Sequence, residues 1–253
     1  MENLRSCFIA HRGESFDAPE NTLGAINLAW ELGIAAVEID IHLTADNEIC
    51  VIHDYDTLRI TGVKRIVRNS TMDELRALDA GSFKGSEWKN ERIPTLGEVL
   101  KTVPPKGKLV VEIKSDSRII PRLQQEILES KLRSDQIEII AFNFYTLAKA
   151  KNLMPNITML WLFVLQPRWI QYLVERSPQA IVQKLKNSNI NGVNIGISKY
   201  LTSKLIAEYK AANLLVYSWT IDDPKRAKKL LENGVDCITS NRPSWVVEEL
   251  SKH

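Results

Sequence analysis

The amino-acid sequence predicts a (β/α)₈ barrel. Three observations carry that expectation. Short β-rich runs alternate with helical patterns along the whole chain, eight such runs can be counted, and 253 residues is the usual size of this barrel. The predicted barrel strands are Cys7–His11, Ala36–Ile41, Leu109–Lys114, Ile137–Phe142, Met159–Val164, Gly192–Ile195, Leu214–Trp219 and Asp236–Thr239. Amphipathic stretches lie between them: Asn21–Leu32, Arg122–Leu132, Thr146–Asn152, Ile170–Lys186, Ser203–Ala212 and Pro224–Glu232. Gly33 and Gly234 follow two of these helices, where a left-handed residue closes the last turn.

Two segments break the alternation. Glu48–His53 reads as a further strand, but only Thr44–Asn47 (TADN) separates it from Ala36–Ile41. A parallel crossover needs roughly a dozen residues, so this pair is a hairpin and His53 folds back beside Asp40. Residues 54–106 carry no strand–helix unit, only a short helix at Met72–Leu78 and a helix-like Thr95–Leu100. They read as a cap inserted after the hairpin, over one face of a single barrel domain spanning residues 1–253.

Composition narrows the class further. Hydrophobic residues at 44% and charged residues at 25% suit a globular chain with a sizeable core. A formal charge of +2 gives no reason to expect nucleic acid or an acidic membrane surface as partner. Lys225–Lys229 (KRAKK) reads as the solvated face of a helix. Cys7, Cys50 and Cys237 are widely spaced and odd in number, which favours reduced thiols over a disulfide framework or a zinc site. The N-terminus lacks a signal-peptide pattern, and no run approaches 18 apolar residues. The expectation is a cytoplasmic protein without stable membrane insertion. Its oligomeric state is left open.

Active sites on this barrel form at the C-terminal ends of the strands. The first predicted strand ends in His11-Arg12-Gly13. The second carries Glu38 and Asp40, two apart and so on one face. The hairpin partner ends in His53-Asp54, and the third barrel strand carries Glu112 and Lys114, again same-facing. Any one of these is unremarkable: an ExD in a strand is usually half-exposed charge and an HD usually a turn. Together they gather three carboxylates, two histidines, an arginine and a lysine at one mouth.

Inward Glu38, Asp40 and Glu112 would repel one another and lose hydration, which is costly unless a cation sits among them. Oxygen-only donors suit a hard divalent ion, Mg²⁺ or Ca²⁺, rather than zinc. The planar fork of Arg12 fits two phosphate oxygens, and His11 and His53 are candidate proton-transfer groups. His42 is assigned to the surface or hairpin, and His253 to a disordered terminus.

The stretch His11–Thr22 (HRGESFDAPENT), with Glu38-Ile-Asp40, Thr44-Ala-Asp46 and Val51-Ile-His53-Asp54, resembles the glycerophosphodiester phosphodiesterase signature. The similarity continues through Leu58-Arg59-Ile-Thr61-Gly62, Ile93-Pro94-Thr95-Leu96, Glu112-Ile-Lys114, Trp219-Thr220 and Ser240-Asn241-Arg242-Pro243. It therefore runs along nearly the whole chain. The resemblance implies a (β/α)₈ barrel with a small insertion after the HD motif. It implies Glu38, Asp40 and Glu112 as metal ligands, His11 and His53 as general acid and base, Arg12 and Lys114 as phosphate contacts, and Trp219 beside the glycerol moiety. The implied reaction is metal-dependent hydrolysis of a glycerophosphodiester to sn-glycerol 3-phosphate and an alcohol. Which histidine is acid, and whether water or the glycerol 2-hydroxyl attacks first, stay open.

Some positions depart from the family pattern. Ala141-Phe142 stands where Ser-Phe is common, Thr239 replaces an apolar residue, and Ser240-Asn241 stands where Thr-Asp is frequent. These bear on substrate preference and packing. Trp30, Phe144, Tyr145, Trp161, Trp169 and Tyr200 read as core or rim packing, and Asn21 or Thr22 as a helix N-cap with no chemical role. Two rival functions are a lysophospholipase D-like phosphodiesterase, which needs a wide apolar groove, and a non-catalytic barrel binding a phosphorylated ligand, which would tolerate loss of His11.

Overall fold

A computed structural model describes residues 2–165 and 177–252. Its sheet contains β1 (Phe8–His11), β2 (Ala36–Leu43), β3 (Ile49–Val51), β4 (Lys108–Ile113), β5 (Ile137–Ala141), β6 (Thr158–Val164), β7 (Gly192–Gly196), β8 (Leu215–Trp219) and β9 (Cys237–Ser240). The order is β1-β9-β8-β7-β6-β5-β4-β2-β3, and β1 also pairs with β2. That extra pairing closes eight parallel strands into a barrel with flanking helices, as the alternation predicted. The antiparallel β3 lies outside the ring on the far end of β2, with Ile41 opposite Val51. The predicted hairpin is therefore present, and it turns at Asn47, whose φ of 61° an asparagine tolerates.

Period-2 alternation sorts the strand residues between two cores. Side chains such as Phe8, Val37, Ile39, Val111, Ile139, Val193 and Val216 pack outward against the helices. Ile9, Ala36, Val110, Ile140, Leu160, Leu162 and Tyr217 fill the barrel interior. Below that plug, Tyr217 Oη donates to the buried Glu138 at 3.1 Å, and Lys108 Nζ sits 2.5 Å from the same oxygen. The opposite end carries the polar groups considered below.

The helices begin and end where local chemistry directs. Thr22 caps Leu23–Glu31 by accepting from the Ala25 N–H, and Gly33 follows with φ 74°. Asn143, Ser177, Thr202 and Asp223 cap four later helices in the same manner. The helix expected at Ile170–Lys186 is described as Pro178–Asn187; its first part, Trp169 and His253 lie outside the described residues. Lys225, Arg226, Lys228 and Lys229 are exposed along Pro224–Glu232.

Residues 54–106 hold short helices at Leu58–Thr61, Met72–Arg76 and Leu96–Leu100. Ile60, Val67, Met72, Leu75, Ala80 and Ile93 form a small separate core with Cys50 and Ile52 of the hairpin. Leu96, Val99 and Leu100 instead join the main core. Thr71 and Thr95 each open a helix with a capping box, closed by Glu74 and Glu98. Among the described residues, no helix is long and apolar enough to cross a membrane.

Candidate active site

Parallel register stacks the candidate residues at one end of the barrel. His11 pairs with Glu38 across β1 and β2, and Asp40 pairs with Glu112 across β2 and β4. Ile52 N donates to the Asp40 carbonyl at 2.9 Å, so the hairpin brings His53 beside Asp40 as expected. A cavity of ≈ 150 Å³ opens here, lined by His11, Arg12, Glu38, His53, Glu112, Lys114, Ile140, Phe142, Asn194, Trp219 and Thr239. Seven of the eight sequence candidates thus face one small space, and Asp40 lies buried just behind it.

The turn after β1 shapes the approach. Arg12 has φ 59° and Gly13 φ 82°, and a Cβ on Gly13 would fall 2.5 Å from the Ala25 carbonyl carbon. Only glycine fits against the helix there. The same turn points the Arg12 N–H at Glu38 Oε2, 3.0 Å away, and places its Nε 3.1 Å from Asp40 Oδ2. Lys114 Nζ lies 2.6 Å from Glu112 Oε1 and 3.2 Å from Asp40 Oδ1.

Oxygen atoms of Glu38, Asp40 and Glu112 lie within 4.8 Å of one another, and all three residues are buried. Burial, reinforced by Asp40 and Glu112, pushes the Glu38 carboxyl well above the usual range. Burial and Asp40 likewise raise Glu112 to about 7. Burial acts the same way on Asp40, but Lys114 and Arg12 outweigh it and bring that group down to about 2. Three carboxyl groups thus meet two cations, and Glu38 Oε1 is buried without a hydrogen-bond partner. An oxygen-only trio with an orphaned acceptor fits a hard divalent cation.

The two histidines have different partners. His11 Nδ1 lies 2.7 Å from Asn241 Oδ1; burial and the adjacent Arg12 lower its pKa to about 4, so it is neutral near pH 7. His53 Nδ1 lies 2.6 Å from Asp54 Oδ1. His42 does sit in the hairpin, yet it is half-buried and donates from Nε2 to the His53 carbonyl at 3.1 Å. Trp219 meets Phe142 edge-on at 5.6 Å between ring centres, which gives the cavity one aromatic wall. Phe144 and Trp161 meet edge-on in the outer core, as their packing assignment anticipated, and Phe163 packs against Trp161 there.

Several supporting residues escaped the sequence reading. Asn21 is not the helix cap; Thr22 is. At φ 60°, Asn21 turns its amide onto Asp40, donating to Oδ2 at 2.8 Å and accepting from the Asp40 N–H at 3.1 Å. Glu20 accepts from Arg12 and from Arg59, and Arg59 also donates to Asp54. The Asn194 Oδ1 is buried and unpaired in a residue lining the cavity. The sequence offered a partial signal, since Glu20, Asn21 and Arg59 all fall inside segments that resemble the family signature.

The sequence profile of the glycerophosphoryl diester phosphodiesterase family matches residues 11–244. A glycerophosphodiester phosphodiesterase of Caldanaerobacter subterraneus is 29% identical over 253 aligned residues, covering 98% of this chain and 99% of the relative. One from Bacillus altitudinis is 30% identical, covering 94% and 96%. Among solved structures, an Oleispira antarctica phosphodiesterase in complex with the product sn-glycerol 3-phosphate superposes with a TM-score of 0.86. It is 29% identical, with 97% of this chain and 96% of that one covered. The chain is a member of the glycerophosphoryl diester phosphodiesterase family.

Proposed function

We propose that the protein hydrolyses glycerophosphodiesters to sn-glycerol 3-phosphate and an alcohol. The observation that carries this reading is the convergence of His11, His53, Arg12 and Lys114 on a cavity floored by Glu38 and Glu112. The relative from Oleispira antarctica, whose product is sn-glycerol 3-phosphate, supports the same substrate class. Glu38, Asp40 and Glu112 would hold Mg²⁺ or Ca²⁺. That ion, when bound, supplies positive charge to the phosphoryl oxygens.

Arg12 and Lys114 bind non-bridging oxygens and offset the charge that builds on phosphorus. His11 and His53 exchange protons with the nucleophile and the leaving alkoxide. The Phe142–Trp219 wall shields the glycerol moiety from water, and residues 54–106 act as the cap on this side through Arg59.

A second reading has one observation in its favour. Phe142, Val164 and Ile197, at the ends of β5, β6 and β7, are each more than 40% exposed, forming an apolar rim that could take an acyl chain. Product analysis separates the two. Incubation with glycerophosphocholine and with lysophosphatidylcholine, read by ³¹P spectroscopy, is expected to yield glycerol 3-phosphate from the first. Lysophosphatidic acid from the second alone would favour the lysolipid enzyme. Phosphocholine as product would refute the proposed bond cleavage.

A further inference from the structure

The structure assigns Asp222, on the loop after β8, as a positioning residue that sets the proton on His11 through Asn241. Asn241 sits directly after β9, and its side chain spans the gap between the two. Its Nδ2 donates to Asp222 Oδ2 at 2.7 Å, while its backbone N–H donates to Asp222 Oδ1 at 2.8 Å. Ser240 Oγ donates to the same Oδ1 at 2.8 Å. Three donors therefore fix the Asp222 carboxylate, which can only accept. Asp222 does not line the cavity, so it reaches the chemistry only through its neighbour.

An asparagine amide is nearly symmetric in shape but not in function: one end accepts and the other donates. The Asp222 carboxylate claims the NH₂ end, which turns Oδ1 toward His11 Nδ1, 2.7 Å away. Ser15 Oγ, at 3.3 Å, also donates to that oxygen and reinforces the orientation. Facing an acceptor, His11 Nδ1 carries the proton, and the lone pair of the neutral ring rests on Nε2, the nitrogen left for the cavity. With the amide reversed, Nδ1 would accept and the proton would move to Nε2. His11 could then no longer take a proton from a nucleophile.

The assignment rests on His11 moving a proton in phosphodiester hydrolysis, and its test has one arm independent of activity. Asp222→Asn keeps shape but no longer demands an NH₂ partner. Imidazole ¹⁵N spectra should then show His11 shifting from the Nδ1–H form toward Nε2–H. A misplaced imidazole proton lowers kcat by up to ~10⁴-fold, and partial misplacement should lower it by ~10–10²-fold with KM little changed. The double variant Asp222→Asn/Asn241→Asp restores an acceptor opposite His11 and an amide donor behind it. It should recover the Nδ1–H form and most of the lost rate.

Retention of the Nδ1–H form and full kcat in Asp222→Asn would overturn the assignment. So would a double variant no better than the single one, because a purely structural aspartate is not replaced by exchanging the pair. If the wild type turned over no phosphodiester, the proposed function would fall, while the spectra would still decide what Asp222 does to His11.

Discussion

Arg59 and Glu20 are joined by two parallel hydrogen bonds, Nη1 to Oε2 at 2.8 Å and Nη2 to Oε1 at 2.7 Å. This pair links the insert to the barrel mouth. Glu20 Oε1 also accepts from Arg12 Nη1 at 2.8 Å, and Arg59 Nε donates to Asp54, the partner of His53. Opposite charges thus alternate from Asp54 to Asp40 through Arg59, Glu20 and Arg12.

Arg59→Ala should therefore disturb both Arg12 and His53 without entering the cavity itself. The expected result is a ~10-fold or larger loss in kcat/KM. Arg59→Lys should not rescue it, because one ammonium cannot reproduce a two-pronged contact. Steady-state kinetics on a chromogenic phosphodiester checks this; wild-type values in Arg59→Ala would rule the linkage out.

Asn21 anchors Asp40 from behind through two hydrogen bonds. Asn21→Gly removes them while tolerating the φ of 60°. Loss of such an outer support typically lowers metal affinity by ~10–100-fold. In the wild type, a divalent cation at ~100 times its Kd should stabilise by ~2.7 kcal/mol and raise Tm by about 5–10 °C. Thermal melts across a Mg²⁺ or Ca²⁺ series should show that rise displaced to higher concentration in Asn21→Gly. Superimposable series would contradict the prediction.

Asn194 should affect stability and activity in opposite directions. Its buried, unpaired Oδ1 is available to accept a substrate hydroxyl. Asn194→Leu removes an unsatisfied polar group, so the fold should hold or gain slightly. The kcat/KM for a glycerol-bearing diester should nevertheless fall by ~10–10²-fold. An equal loss on bis(p-nitrophenyl) phosphate, which has no glycerol, would show that the oxygen serves something else.

Glu14 gives the fold a pH signature remote from the carboxylate trio. It is fully buried, accepts from Ser244 Oγ and is pushed up to about 7 from 4.5 by burial. A carboxyl raised on folding binds its proton more tightly in the native state. Its contribution is complete below pH ~4.5 and is lost as pH climbs through about 7. Glu14→Gln should match the wild type near pH 4 and be the more stable protein at pH 8, by on the order of 2–3 kcal/mol. Melts at both pH values check it; equal Tm at pH 8 would show that Glu14 ionises without penalty.

The strands were legible because alternation of small apolar runs is what a barrel wall requires, and their ends moved by no more than two residues. His11, Glu38, Asp40, Glu112 and Lys114 were legible for the same reason, since strand period and parallel register dictate which side chains meet. The supporting residues were not. Pro19 followed by Asn21-Thr22 reads as a capping sequence, and only the positive φ of Asn21 reveals that its side chain turns to Asp40. Asp222 and Asn241 lie in two loops 19 residues apart, and their contact depends on loop geometry that no periodicity encodes. Arg59 belongs to a one-turn helix too short to announce itself by pattern.

We propose metal-assisted phosphodiester hydrolysis at the mouth formed by β1, β2, β4 and β8. The most direct test is hydrolysis of glycerophosphodiesters by chelated, purified protein, before and after Mg²⁺ or Ca²⁺ is restored, beside His11→Ala and Glu38→Gln. The expected result is release of glycerol 3-phosphate only with metal, a ~10²–10⁴-fold loss in His11→Ala, and no recovery by either ion in Glu38→Gln. Undiminished turnover after chelation, or no turnover by the folded wild type with either ion, would contradict it.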